Sequence, residues 1–245
     1  MYVRYQHVKR GKNVHRPATP IVRPPSLTEL AFERVRAGIL SGEYPMGSLL
    51  SEQAIAQDLG ISRTPIREAF GRLQNEGLVI VVPQRGTLVF TMDEARFVEI
   101  CDCRAVLEVG ALKLAAAADF PGLTAALRQT VEGMEKAVSE RDYLTYIDLD
   151  IVFHQTFFDI ANNRYLEESY RSISGQMTTL RYRVKEWSET TLVGFRDHKA
   201  ILAAIRDADL PAAVEILERH TRPTDGSFWS TRDALPTHEV PREAS

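Results

Sequence analysis

The chain is poor in the features that staple or embed a protein. Cysteine occurs only at positions 101 and 103 of 245 residues. On a helix, residues i and i+2 point about 200° apart, so these two are badly placed to bridge each other and are expected as free thiols in a reducing compartment. No run approaches the ~20 apolar residues of a membrane span. The first residues are basic but lack the apolar core of a secretory signal, so a cytoplasmic location with no membrane partner is expected. No internal repeat is visible. What remains is ordinary for a folded chain, with 44% hydrophobic and 26% charged residues and enough length for one or two domains with a real core.

The net charge of −3 hides a division. Residues 1–90 hold 12 Lys/Arg against 7 Asp/Glu, a balance of +5, and the remaining 155 residues carry −8. A basic front and an acidic rear suit a nucleic-acid-binding domain joined to a sensing or dimerising domain. Residues 1–25 carry six Lys/Arg, no acid and four prolines. They read as a flexible basic tail, either adding phosphate contacts or serving no purpose. Ser26–Glu29 has the form of a capping box for a first helix to about Ser41, with Leu30, Val35, Ile39 and Leu40 inward.

The rest of the front is organised around LLSEQAIAQDLGISRTPIREAFGRLQNEGLVIVVPQRGTLVF, residues 49–90. Ser51 caps a helix to Leu59 whose inner side is Ala54, Ile55 and Leu59, and Gly60 supplies the positive φ that ends it. Ser62 caps a second helix with Pro65 in its first turn. Ile66, Ala69, Phe70 and Leu73 recur at i, i+3, i+4 and i+7 as a buried stripe. Arg63, Thr64, Arg67 and Arg72 lie mostly off it. Two apolar runs, 79–82 and 87–90, flank the basic turn Pro83-Gln84-Arg85-Gly86. The spacing fits a helix-turn-helix with a β-hairpin wing. It also fits an ordinary helical hairpin with solvated arginines.

The rear reads as helices throughout. Thr91–Glu94 is a second capping box, opening a long helix to about Ala118 almost without a linker. Phe120-Pro-Gly122 breaks the chain. Helices follow over Leu123–Glu140, Tyr143–Ala161, from Asn163 to about Trp187, from about Leu192 to Ala208, and over Leu210–Thr221, the last capped by Asp209. Residues 222–245 read as a loose tail. Asp150 and His154, four apart, share one helix face. His198 and His220 stand 10 and 11 residues either side of the Ala208-Asp209 turn. An antiparallel pair would bring both rings to one level, ~16 Å from that turn. One carboxylate and three imidazoles suit Zn²⁺ first, then Ni²⁺, Mn²⁺ or Fe²⁺, and not a cysteine-type zinc knot. Unrelated surface histidines would give the same spacing.

Two resemblances sharpen these readings. The string GISRTPIREAFGRLQNEGLV, with LLSEQAIAQDL before and PQRGTLV after, resembles the winged helix-turn-helix of GntR-type regulators over residues 27–90. The rear, from Arg104-Ala-Val-Leu-Glu108 through Asp150-Ile-Val-Phe-His154 to His198 and His220, resembles the FCD effector domain of the FadR subfamily. The resemblance implies a mainly α fold: a basic tail at 1–25, a winged helix-turn-helix at 26–90, an all-α metal-, effector-binding and dimerisation domain at 91–221, and a tail at 222–245. It implies a homodimer on a palindromic double-stranded operator. Ser62, Arg63, Thr64, Pro65, Arg67, Arg85 and Gly86 form the DNA-binding set, with Arg63 and Arg67 at base edges and Thr64, Arg85 and Gly86 at backbone or minor groove. It implies a divalent metal held by Asp150, His154, His198 and His220, and a small carboxylate effector beside it. Arg104 comes first as effector contact, then Arg181, with Asn163 also a candidate despite its reading as a helix cap. No catalytic residue is expected. Gln53 and Met46 depart from the family, which more often has arginine and proline there. The expected function is a regulator, repressive in the first instance, whose operator affinity follows an organic acid. A regulator answering to the ion itself and a metal-dependent enzyme with a DNA-binding appendage are the alternatives.

Overall fold

In a computed structural model of the chain, residues 24–183 and 187–222 are described. The two expected tails lie outside them, apart from residues 24–25 and Arg222. The described residues form a mainly α protein with one small sheet, in the order α1 (Leu27–Ser41), β1 (Leu49–Leu50), α2 (Glu52–Leu59), α3 (Arg63–Asn75), β2 (Val79–Val82), β3 (Gly86–Val89), α4 (Glu94–Ala118), α5 (Phe120–Glu140), α6 (Tyr143–Ala161), α7 (Arg164–Arg183), α8 (Glu189–Arg206) and α9 (Leu210–Thr221).

Side-chain caps start most of these helices, since each first turn has backbone N–H groups with no partner inside the helix. Ser26 accepts from Glu29 N and Ser51 from Ala54 N. The box at α1 is half built, because the Glu29 carboxylate turns to Arg72 instead of its own cap. Leu30 and Ala54 do not face inward as expected. Leu30 is 52% exposed, and the buried sides are Ala31, Phe32, Val35 and Ile39 on α1 and Ile55 and Ala56 on α2. Ser62 precedes α3 without a side-chain cap bond. The α3 stripe of Ile66, Ala69, Phe70 and Leu73 is buried as the spacing predicts.

The sheet has the order β1-β3-β2, all antiparallel, with Leu49 opposite Leu88 and Val81 opposite Thr87. The two-residue β1 is too short to carry an alternation, so the sequence shows only the hairpin. Past the sheet, Asp93 caps α4 two residues later than the Thr91 box predicts, accepting from Arg96 N. Nor does Pro121 break the chain at 120–122. It falls in the first turn of α5, where no N–H is needed, and Asp119 caps that helix.

Two apolar clusters form. One joins α1–α3 and the sheet to the start of α4 (Phe97, Ile100, Cys101) and the end of α7 (Met177, Leu180). The other fills the helical rear around Leu112, Leu127, Phe153, Phe157 and Ile201. Helix α7 therefore serves both. A Cβ on Gly77, which has φ 67°, would stand 2.5 Å from Ser172 O, and one on Gly175 would stand 2.8 Å from Glu76 O. Gln176 Nε2 donates to Gly77 O. The turn that ends α3 is pressed backbone to backbone against α7.

Candidate metal centre and nucleic-acid interface

The N-terminal end of α3 is presented to solvent. Ser62, Arg63, Thr64 and Arg67 are exposed, as are Arg85 and Gly86 at the tip of the β2–β3 hairpin. Pro65 is buried, so it shapes the first turn from the core side. Arg63 Nη2 lies 3.0 Å from Glu52 Oε2, and Arg67 spans both oxygens of the same carboxylate at 3.2 and 2.9 Å. The hydrogen bond from Arg67, with a smaller one from Arg63, holds the Glu52 carboxyl below the usual range against a modest cost of burial. Arg72 is turned away, clamped between Glu29 and the Phe32 ring.

In the rear, the antiparallel α8 and α9 bring His198 and His220 against α6, with ring centroids 4.5 Å apart. His154 Nε2 lies 3.4 Å from His198 Nε2 and 3.3 Å from His220 Nε2, while Asp150 Oδ1 is 3.4 Å from His198 Nε2. One donor atom from each of the four residues falls within 4.8 Å of the others. His154 and His198 are fully buried. Burial, and then the Arg104 charge, pushes His154 well below the usual imidazole range. Burial, with His220 beside it, pushes His198 down to about 3. Both are neutral near pH 7, the form that ligates a metal. At Asp150 burial opposes ionisation, but the Arg181 charge, with Arg104 further off, outweighs it and keeps the carboxyl well below its usual range.

Behind these atoms stands a second ring of charges. Glu108 Oε2 is 2.8 Å from His154 Nδ1, a charge contact off the line of a hydrogen bond. Its other oxygen takes Arg104 Nε at 2.6 Å and the Tyr170 hydroxyl at 3.3 Å. Asp197 Oδ2 is 3.5 Å from His220 Nδ1. Carboxylates therefore stand beside the far nitrogens of His154 and His220, where they would favour the tautomer with Nε2 unprotonated, while His198 Nδ1 has no such partner. Asp150 Oδ2 lies 2.7 Å from Arg181 Nε, an ion pair off the line of a hydrogen bond. Arg104 reaches further, its Nη2 lying 2.7 Å from His154 Nε2. One lone pair cannot serve both a guanidinium and a cation, so the two compete for it.

Beside this cluster opens a cavity of about 310 Å³, with Asp150, His220, Arg104 and Arg181 in its wall. Asn163 does not join them. Its side chain accepts from Tyr165 N and Leu166 N as the cap of α7. From sequence, Glu108 is named only as the end of the Arg104–Glu108 stretch, without its contact to His154, and Asp197 and Glu52 are not reached. Asp197 stands next to His198 in sequence, but helix neighbours do not face each other, and its contact with His220 follows only from how α9 lies against α8. Nothing local marks Glu52.

Residues 27–89 match the family described as bacterial regulatory proteins, gntR family, and residues 99–222 match the FCD domain. The chain belongs to the GntR family. Like the other members it resembles, it is a transcriptional regulator and not an enzyme, and the GntR-plus-FCD architecture is consistent with the FadR subfamily. It is 26% identical over 215 residues to the gluconate operon transcriptional repressor of Bacillus subtilis, covering 86% of this chain and 88% of that one. It is 34% identical over 134 residues to an uncharacterized helix-turn-helix regulator of Agrobacterium vitis, covering 54% of this chain and 78% of the relative. The fold of this GntR protein also matches Escherichia coli McbR/YncC, with a TM-score of 0.70 at 22% identity over 86% of this chain and all of the other. No described helix is long and apolar enough to cross a membrane.

Proposed function

We propose that Asp150, His154, His198 and His220 hold a divalent cation, zinc first among the candidates, and that a small organic acid bound beside it sets operator affinity, with repression relieved by the acid. The reading is carried by the convergence of four donor atoms from α6, α8 and α9 on one buried point. Three are imidazole Nε2 atoms and none is sulfur, a set that suits zinc and its neighbours. The bound ion supplies positive charge. The surrounding side chains are already balanced, Arg104 against Glu108 and Arg181 against Asp150. A divalent ion therefore adds two uncompensated charges at a buried place, which favours an anion in the adjoining cavity.

Arg63 and Arg67 read base edges in the major groove, and Thr64, Arg85 and Gly86 meet the backbone or minor groove. Val98, Val106 and Leu114, exposed along α4, support a homodimer whose two-fold axis matches a palindromic operator. One observation also favours the ion itself as the signal: a cation takes from Arg104 the nitrogen it now contacts, so occupancy alone resets that side chain.

A gel shift on the chain's own upstream DNA tests both readings, using metal-stripped and zinc-loaded protein with and without a panel of acids. Zinc-loaded protein released by an acid supports the effector reading. Chelator-reversible binding that no acid alters supports the ion. Operator affinity indifferent to both overturns the proposal.

A further inference from the structure

We propose that the cavity takes a monocarboxylate with an apolar body, an aryl or branched aliphatic acid, and discriminates against polyhydroxy acids of the same charge. The inference rests on the reading of this cavity as the effector site and narrows it to a ligand class.

Beside its charged and hydroxyl groups the wall carries a set of apolar side chains. Phe97 and Met177 each show 5% exposure, Ile147 4% and Leu180 1%, and half-exposed Val193 faces the same space. The hydroxyls on the wall are committed to the protein. Tyr143 Oη donates to Arg181 O and Tyr146 Oη to Thr191 O, each at 3.3 Å. Ser188 Oγ bonds Thr191 Oγ1 at 3.0 Å and accepts from Thr191 N. Thr221 Oγ1 donates to Leu217 O. The cations are committed as well, Arg219 to Asp197 and Arg222 to Asp102 in addition to the two pairs at the centre.

A polyol entering this space gives up its water and meets hydroxyls most of which already donate within the protein. An apolar body leaves water for an apolar wall. At roughly 30 Å³ per water-sized group, 310 Å³ has room for about ten such groups. That suits a phenyl ring with a short acid arm. The excess charge of a bound divalent ion sits at one point of the wall, which places the carboxylate there and the body of the ligand against the apolar side chains.

The test uses the full-length zinc-loaded protein, with titration calorimetry and thermal shift against phenylacetate and gluconate. Phenylacetate is expected to bind at least about tenfold more tightly and to raise Tm by mass action. Val193→Thr, a change of similar volume at a half-exposed position, is expected to weaken phenylacetate about threefold or more and to leave gluconate within about twofold. Gluconate binding as tightly as phenylacetate overturns the ligand class and leaves the effector reading standing. Binding of neither, while another acid of the panel binds, overturns the ligand class alone, and binding of no acid by zinc-loaded protein at millimolar concentration overturns both.

Discussion

Each half of the molecule gathers arginines around carboxylates, in opposite settings. At the front, Arg63 and Arg67 are 59% and 68% exposed and share Glu52. At the rear, Arg104 is 7% exposed and Glu108 not at all, and Arg181 and Asp150 are nearly as deep. Exposed pairs are worth about 0–1 kcal/mol and exchange partners easily, which suits the proposed trade of this carboxylate for phosphates and bases. A buried pair that loses one member strands a charge, at about 3–5 kcal/mol. The front can therefore change partners without changing shape. The rear accommodates a new charge only by rearranging.

The largest effect should come from breaking the rear network. Glu108→Gln leaves Arg104 buried without its carboxylate and removes the charge behind His154. Urea denaturation of metal-free protein is expected to show a loss of about 3–5 kcal/mol. A loss below about 1 kcal/mol would mean that Arg104 finds another partner and that the two halves differ less than their burial says.

Next in size is the contact that keeps the halves from being independent. Gly77→Ala forces a Cβ against Ser172 O at a position with φ 67°. Strain and overpacking together are expected to cost roughly 2–3 kcal/mol. Two resolved unfolding transitions in the variant, where the parent shows one, would mark α7 as the element that makes the cores cooperative. A single, unshifted transition would show that the α3–α7 approach relaxes freely.

How much of this is legible in the sequence follows from the range of each signal. Ser26, Ser51 and Asp209 act on N–H groups within three residues, so these helix starts read well. The shared face of Asp150 and His154 and the mirrored spacing of His198 and His220 need only helical geometry. Glu108 behind His154 depends on how α4 lies against α6, and Gly77 against Gly175 on how α3 meets α7. Each spans an interval of sequence in which periodicity says that a face is buried but not against what. Leu30 and Ala54 were misread for the same reason: an apolar residue near the edge of a stripe faces inward only if a neighbour covers it.

At the front the expected sizes invert, with binding sensitive and stability not. Arg67→Ala is expected to leave Tm nearly unchanged, within about 0.5 kcal/mol, because the residue is exposed and its partner retains Arg63. Operator affinity should fall by about 1–3 kcal/mol, measured against a scrambled duplex at fixed salt. An equal loss on both duplexes would assign Arg67 to phosphate and not to a base.

The smallest effect on stability is expected at Glu52, where Glu52→Gln should change the free energy of unfolding by less than about 1 kcal/mol. Its consequence for DNA has two opposed parts. The carboxylate fixes Arg67 through both of its oxygens and Arg63 through one, so losing it frees both guanidiniums to rotate and blurs their approach to base edges. It also removes a negative charge that stands close to where phosphates must come. Non-specific affinity should therefore rise while the ratio of operator to scrambled binding falls. A variant that binds both sequences more weakly would show that Glu52 does not hold the arginines in their reading position.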